Sequence, residues 1–175
     1  MARVLIVGCG CRGQWLAKAL VTDGMTVRGT SRTEARFAAI SASGAEPALV
    51  DPLYLGTMLP ALEGVSALVW LMGSAEGPQR EVEPINRERL TSMLDLLVDT
   101  PVRGVVFEGA GTLPPAHLQE GARAVQRASK TFQMPVAVLG TKPSDRAQWL
   151  AEARTAVQTV LSGPPPSQVG LRPVF

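Results

Sequence analysis

Val4-Leu5-Ile6-Val7-Gly8-Cys9-Gly10-Cys11-Arg12-Gly13 is the stretch whose reading decides the fold. Its first four residues are a continuous apolar run, as expected of a strand buried on both faces of a sheet. The glycines that follow fit G-x-G-x-x-G. A helical stretch comes next, with Trp15, Leu16, Ala19 and Leu20 on one face and Gly24 placed to stop it. A glycine pattern of this kind is weak alone and gains meaning from its position between a strand and a helix.

The same alternation continues along the chain. Thr26 to Thr30 reads as a second strand, and Ser31 with Glu34 three residues on predicts a capped helix over Glu34 to Ser41. Ala45 to Val50 is a third strand, ending at Asp51-Pro52, and Leu53 to Leu62 a short helix. Ala67 to Met72 is a fourth apolar run, closed by Gly73. Ile85, Leu90, Met93, Leu94, Leu97 and Val98 form a helical stripe. Gly104 to Glu108 is a fifth strand, Leu118 to Phe132 a helix and Pro135 to Leu139 a sixth strand. Trp149, Leu150, Ala153, Val157, Val160 and Leu161 make a last amphipathic helix.

Parallel strands need crossover helices, which are almost always right-handed. The expectation is therefore an α/β protein: a three-layer, doubly wound parallel sheet of about six strands. It occupies one domain over 1–162, followed by an irregular tail over 163–175.

Composition narrows the function classes. The chain has 175 residues with 46% hydrophobic content, which excludes a disordered chain and suffices for a full core. A net charge of +2 with interspersed signs gives no footprint for nucleic acid. No apolar run approaches the roughly 20 residues of a membrane span, and the run at Val4–Val7 is too short for a signal peptide's core. Two cysteines exclude a disulfide scaffold and fit a reducing, cytoplasmic setting.

The glycine loop supplies the candidate site. Gly8 permits the tight turn, Gly10 removes a Cβ that would block a diphosphate, and Gly13 lets the helix approach the strand. The helix opened by Cys11 and Arg12 offers unpaired N–H groups and a positive dipole end to phosphates. A tight turn without a ligand is the alternative. NAD binders carry an acid about 20 residues on. Here the segment is Arg28-Gly29-Thr30-Ser31-Arg32, with no carboxylate between Gly24 and Thr33. Ser31 can hydrogen-bond a 2′-phosphate and Arg32 can pair with it, with Arg12 as a second positive charge, so NADP is favoured over NAD. Asp51 could accept a hydrogen bond from an adenine amino group or simply begin the turn at Pro52. Gly73 and Ser74 lie at a strand's carboxyl end, where ligands of open sheets sit.

Other groups have both a chemical and a bland reading. Cys9 and Cys11 could be redox-active at a helix N-terminus or could fill a crowded turn. No metal site is expected, because two cysteines with the sole histidine, His117, do not complete one. His117, in the loop after the fifth strand, is a candidate acid or base, or a surface residue or cap. Glu108, at the ligand edge, is a candidate base or a solvated carboxylate. The stripes at 85–99 and 118–132 could pair with a second copy in a homodimer or pack on their own sheet. Trp15, Trp70 and Trp149 are scattered, as core or interface anchors would be.

Val4 to Gly13, Thr30-Ser31-Arg32, Asp51-Pro52, Leu59 to Gly64, Leu68 to Gly73, Val105-Val106-Phe107 and Ala122 to Leu139 together resemble the extended and atypical short-chain dehydrogenase/reductase superfamily. The likeness is to its epimerase-like and NmrA-like branches. The resemblance implies a Rossmann fold and a bound nicotinamide dinucleotide. Catalytic members of that superfamily use a Tyr-x-x-x-Lys pair in which the lysine lowers the tyrosine's pKa. Here the only tyrosine is Tyr54, four before Met58, while Gln126 and Val138 stand four before Lys130 and Lys142. Ala110 stands where the resemblance implies a hydroxyl residue after the fifth strand, and Thr112 is the nearest substitute. The expected substrate-binding portion has no counterpart after Leu139. Two functions stay open. One is an NADP-dependent oxidoreductase or epimerase-like enzyme acting on a small carbonyl or hydroxyl compound, with Thr112, His117 or a water as its acid. The other is a non-catalytic dinucleotide sensor or partner-binding regulator.

Overall fold

The computed structural model describes residues 1–163. From residue 164 onward the expected tail lies outside the described residues. Six strands alternate with helices: β1 (Arg3–Val7), α1 (Cys11–Thr22), β2 (Thr26–Ser31), α2 (Phe37–Ala42), β3 (Glu46–Leu49), α3 (Met58–Ala61), β4 (Ala67–Trp70), α4 (Gln79–Val82), α5 (Leu90–Leu97), β5 (Gly104–Glu108), α6 (Pro115–Phe132), β6 (Val136–Leu139) and α7 (Arg146–Ser162). The strands form one parallel sheet in the order β3-β2-β1-β4-β5-β6. The chain direction across the sheet reverses between β1 and β4, and ligands of open α/β sheets sit beyond the strand ends at such a switch point.

The apolar runs explain the layers. In β1, Leu5 and Val7 face one core while Val4 and Ile6 face the other. The first core also takes Met58 of α3, Leu90, Met93 and Leu94 of α5, and Val125 of α6. The second takes Leu16 and Leu20 of α1 with Trp149, Ala153 and Val157 of α7. The central strands β1, β4 and β5 are buried almost throughout, whereas β3 and β6 are four-residue strands with exposed positions. Short edges resist pairing with other chains, and Pro47 in β3 is tolerated because that strand lies at the edge.

Four local expectations need correction. Ser31 does not cap a helix: β2 extends through it, and its hydroxyl donates to the Thr33 carbonyl and accepts from the Thr33 amide. The segment over 34–42 is a 3-10 turn at Glu34–Arg36 that passes into α2. His117 lies in the first turn of α6, which begins at Pro115, not in the preceding loop. Proline suits the first helical position because its missing N–H would have had no partner there. The stripe beginning at Ile85 enters α5 through a π-helical turn at Ile85–Arg89.

That stripe is consumed inside the chain. Leu90, Met93, Leu94 and Leu97 are all buried, as are Leu118, Val125 and Ala128 of α6. The surface between α5 and α6 is lined by charge, including Arg87, Glu88, Glu120, Arg123 and Arg127. Among the described residues, no helix is long and apolar enough to cross a membrane.

Candidate functional site

At the exit of β1 the chain turns on Gly8, whose φ of +83° is one that side-chain-bearing residues rarely adopt. A Cβ there would also stand 2.6 Å from the Leu71 carbonyl oxygen. The turn is tied to β2: the Gly8 amide donates to Thr30 Oγ1 (3.2 Å) and the Cys9 amide to the Thr30 carbonyl (3.1 Å). Cys9 fills the space beside Gly29, where any Cβ would lie 2.6 Å from its sulfur. Burial pushes the Cys9 thiol up to about 12, so it packs as a small apolar group. Cys11, the first residue of α1, is exposed.

The two remaining glycines of the loop differ in what surrounds them. A Cβ on Gly13 would be 3.2 Å from both the Gly8 carbonyl and Ile6 Cγ2, the close approach of helix to strand that the motif predicts. A Cβ on Gly10 would meet nothing within 4 Å. The fold therefore does not need Gly10, and the open space lies beside the first turn of α1. The amides of Cys11, Arg12 and Gly13 occupy that turn, where helix geometry provides no acceptor, and no side chain caps them. Uncapped amides beside an open glycine fit a diphosphate.

The rest of the candidate cofactor set divides into two groups. On the β2 side, Ser31 is buried and bonded to Thr33. Arg32 is exposed, and its Nη2 donates to the Glu76 carbonyl at 3.4 Å. Because β2 and β4 flank β1, that contact passes over the end of β1. Asp51 Oδ1 accepts the Leu53 amide at 3.0 Å, so one of its oxygens organises the turn at Pro52.

On the β4 and β5 side the groups are bound to one another. Arg12 Nε donates to Glu108 Oε1 at 2.9 Å and Arg12 Nη2 to Glu108 Oε2 at 3.1 Å. Glu108 is fully buried and also accepts the Gly73 amide at 2.9 Å, while the Arg12 side chain is 24% exposed. Arg12, read from sequence as a second charge for a phosphate, thus spends its guanidinium on a carboxylate. Glu108, read as a candidate base or a solvated group, is a buried ion-pair partner. The following loops are stitched as well. The Leu113 amide donates to the Gly73 carbonyl (3.1 Å) and the Thr112 amide to Ser74 Oγ (3.0 Å). A Cβ on Gly111 would collide with the Gly73 carbonyl. Thr112 is exposed, and His117 Nδ1 is buried without a hydrogen-bond partner.

Asn86, on the π-helical turn, is a buried polar residue that sequence reasoning missed. It accepts from Trp70 Nε1 (2.9 Å) and donates to the Met72 carbonyl (3.0 Å), which fixes the exit of β4. Its signal was faint: one amide side chain in a charged stretch ahead of an apolar stripe. Among the described residues, no group of three or more His, Cys, Asp or Glu side chains is placed to hold a metal ion.

The fold and the loop define a class, the Rossmann-fold α/β proteins, and solved structures match it. UDP-glucuronic acid 4-epimerase from Bacillus cereus in complex with NAD is 15% identical with a TM-score of 0.60, over 78% of this chain and 54% of that one. UDP-glucose 4-epimerase from Thermotoga maritima is 11% identical with a TM-score of 0.65, over 78% and 54%. Vestitone reductase from alfalfa is 15% identical with a TM-score of 0.59, over 79% and 56%. The chain spans about half the length of these structures, and at such identities the likeness shows the fold. No protein-family model matches the sequence, nor does any curated protein. What these structures share with the chain is the Rossmann architecture.

Proposed function

We propose that this chain binds NADP(H), with the diphosphate on the first-turn amides of α1 and the 2′-phosphate beside Ser31 and Arg32. The observation that carries the reading is Gly10: its missing side chain serves no packing purpose in the fold, yet it leaves space against three unbonded amides. Arg32 supports the choice of the phosphorylated dinucleotide. Its side-chain hydrogen bond among the described residues, long and solvent-exposed, goes to a neutral carbonyl, so a phosphate would be the stronger partner. NAD, preferred where an acid ends the second strand, has no such acid here.

Two uses of the nucleotide fit the fold. In the first, the protein is an oxidoreductase or epimerase-like enzyme for a small carbonyl or hydroxyl compound, with Thr112 or His117 donating the proton. In the second, it is a non-catalytic sensor whose nucleotide state sets a partner contact. The second is favoured by a specific observation: Glu108, at the β5 exit, is buried and bonded to Arg12 and Gly73, and the Tyr-x-x-x-Lys pair is missing. A homodimer through the outer faces of α5 and α6 would meet through charged side chains, since the apolar stripes are buried.

Fluorescence titration tests the cofactor assignment. NADPH is expected to bind more tightly than NADH. Arg32→Ala is expected to weaken NADPH by about 1–3 kcal/mol, the range for a charge-assisted hydrogen bond, and to leave NADH nearly unchanged. Equal affinities of the unaltered protein for both nucleotides would overturn the roles of Ser31 and Arg32.

A further inference from the structure

Dinucleotides lie across the switch point of a doubly wound sheet, one nucleoside over each half. In this chain the halves are β3-β2-β1 and β4-β5-β6. The second half is crossed by a bridge. Arg12 starts beyond β1, Glu108 ends β5, and Gly73, just past β4, donates its amide to the same carboxylate. The pair therefore runs over the end of β4, next to the switch point. Behind it the β4 and β5 loops are joined by the Leu113–Gly73 and Thr112–Ser74 bonds. The glycines at 73 and 111 bring the backbones so close that neither could carry a side chain unmoved: a Cβ on Gly73 would lie 3.0 Å from both the Ala110 carbonyl and Glu108 Oε2.

The energetics set this bridge apart from an ordinary surface pair. Glu108 has no exposed surface and takes three hydrogen bonds. Pulling Arg12 away would leave a buried carboxylate without its cation, which is strongly unfavourable. An incoming ribose or reduced ring carries no charge, and the oxidised ring, although a cation, has no N–H on its ring nitrogen, so none of them could replace the two charge-assisted hydrogen bonds of the guanidinium. The diphosphate itself needs only the α1 amides and does not require the bridge to open.

We propose that the crevice takes the 2′-phosphorylated adenosine-diphosphate portion of a nucleotide and excludes the nicotinamide, which the Arg12–Glu108 bridge and the stitched loops keep out of the β4–β5 half. The inference rests on the glycine-loop reading above and deepens it. The chain reads the adenine end of NADP and leaves the redox-active ring in solvent, so it binds the nucleotide without turning it over.

The test compares NADP⁺ with 2′-phospho-ADP-ribose, which lacks only the nicotinamide, by calorimetry, and records saturation-transfer NMR on bound NADP⁺. The expected result is affinities within about threefold of each other, the adenine protons saturated and the nicotinamide protons silent. A double variant, Arg12→Met with Glu108→Gln, removes both charges while keeping bulk, and is expected to let the nicotinamide protons saturate. NADP⁺ binding more than about tenfold tighter than 2′-phospho-ADP-ribose, or nicotinamide protons saturated in the unaltered protein, would overturn the exclusion while leaving the glycine-loop reading intact. Binding of neither compound would overturn the glycine-loop reading and the exclusion with it. Should the double variant not fold, the two measurements on the unaltered protein decide the question.

Discussion

Arg12 and Arg32 both stand at the carboxyl edge of the sheet, on either side of the β1 exit, and they are held in opposite ways. Arg32 touches one backbone carbonyl at 3.4 Å and is exposed. Arg12 makes two bonds at 2.9 and 3.1 Å to a carboxylate with no exposed surface. The first cation is available to a ligand; the second is committed to the fold. The same division runs through the glycines. A Cβ on Gly10 meets nothing, whereas one on Gly73 or Gly111 meets the opposing loop. The crevice is thus open beside Gly10, and its β4–β5 half is built closed.

The sharpest way to break this comparison is through stability. Glu108→Ala removes the partner of Arg12 and the acceptor of the Gly73 amide in a buried setting. Breaking a buried pair costs about 3–5 kcal/mol, and the partial exposure of Arg12 brings the expected loss to about 2–4 kcal/mol in urea unfolding. Arg32→Ala is expected to stay within about 0.5 kcal/mol, as for an ordinary surface substitution. Similar costs for the two substitutions would mean that the two arginines do not differ as described. A smaller effect, on reaction rate alone, concerns the two cysteines of the loop. The Cys9 thiol, pushed up to about 12 by burial, is protonated at pH 8.5. An aromatic disulfide reagent is therefore expected to label one thiol per folded chain, at Cys11, and two after denaturation. Rapid labelling of both in the folded protein would show that the turn at Gly8 is looser than its contacts imply.

Much of this was legible in the sequence, and the limits have physical causes. The glycine loop was readable because its neighbours are local: strand, turn and helix all lie between Arg3 and Thr22. The central strands β1, β4 and β5 were readable because buried parallel strands are apolar almost throughout, whereas β2, with Arg28 and Thr30, and the part-exposed edge strands β3 and β6 were readable from their alternation with helices. The Arg12–Glu108 bridge was not, because its members lie 96 positions apart. An isolated arginine and an isolated glutamate look alike whether they meet each other or water. A hint did exist, since Glu108 ends the otherwise apolar run Gly104 to Phe107. The helix start at Ser31 was misread because its hydroxyl bonds locally to Thr33, and serine favours such turns as readily as caps. His117 was set in a loop because two prolines precede it, yet the second of them begins α6.

Calorimetric titration of NADPH into the unaltered protein and into Gly10→Val tests the central claim most directly. Gly10 has extended backbone angles and its missing Cβ faces open space, so the substitution is expected to keep the fold and to lower the melting temperature by no more than about 2–4 °C, the cost of a poorer N-cap for α1. The expected result is saturable binding to the unaltered chain and none to Gly10→Val, because the valine side chain fills the place of the diphosphate. Undiminished binding to Gly10→Val, or no binding to the unaltered chain, would contradict the assignment of the α1 amides as the phosphate site.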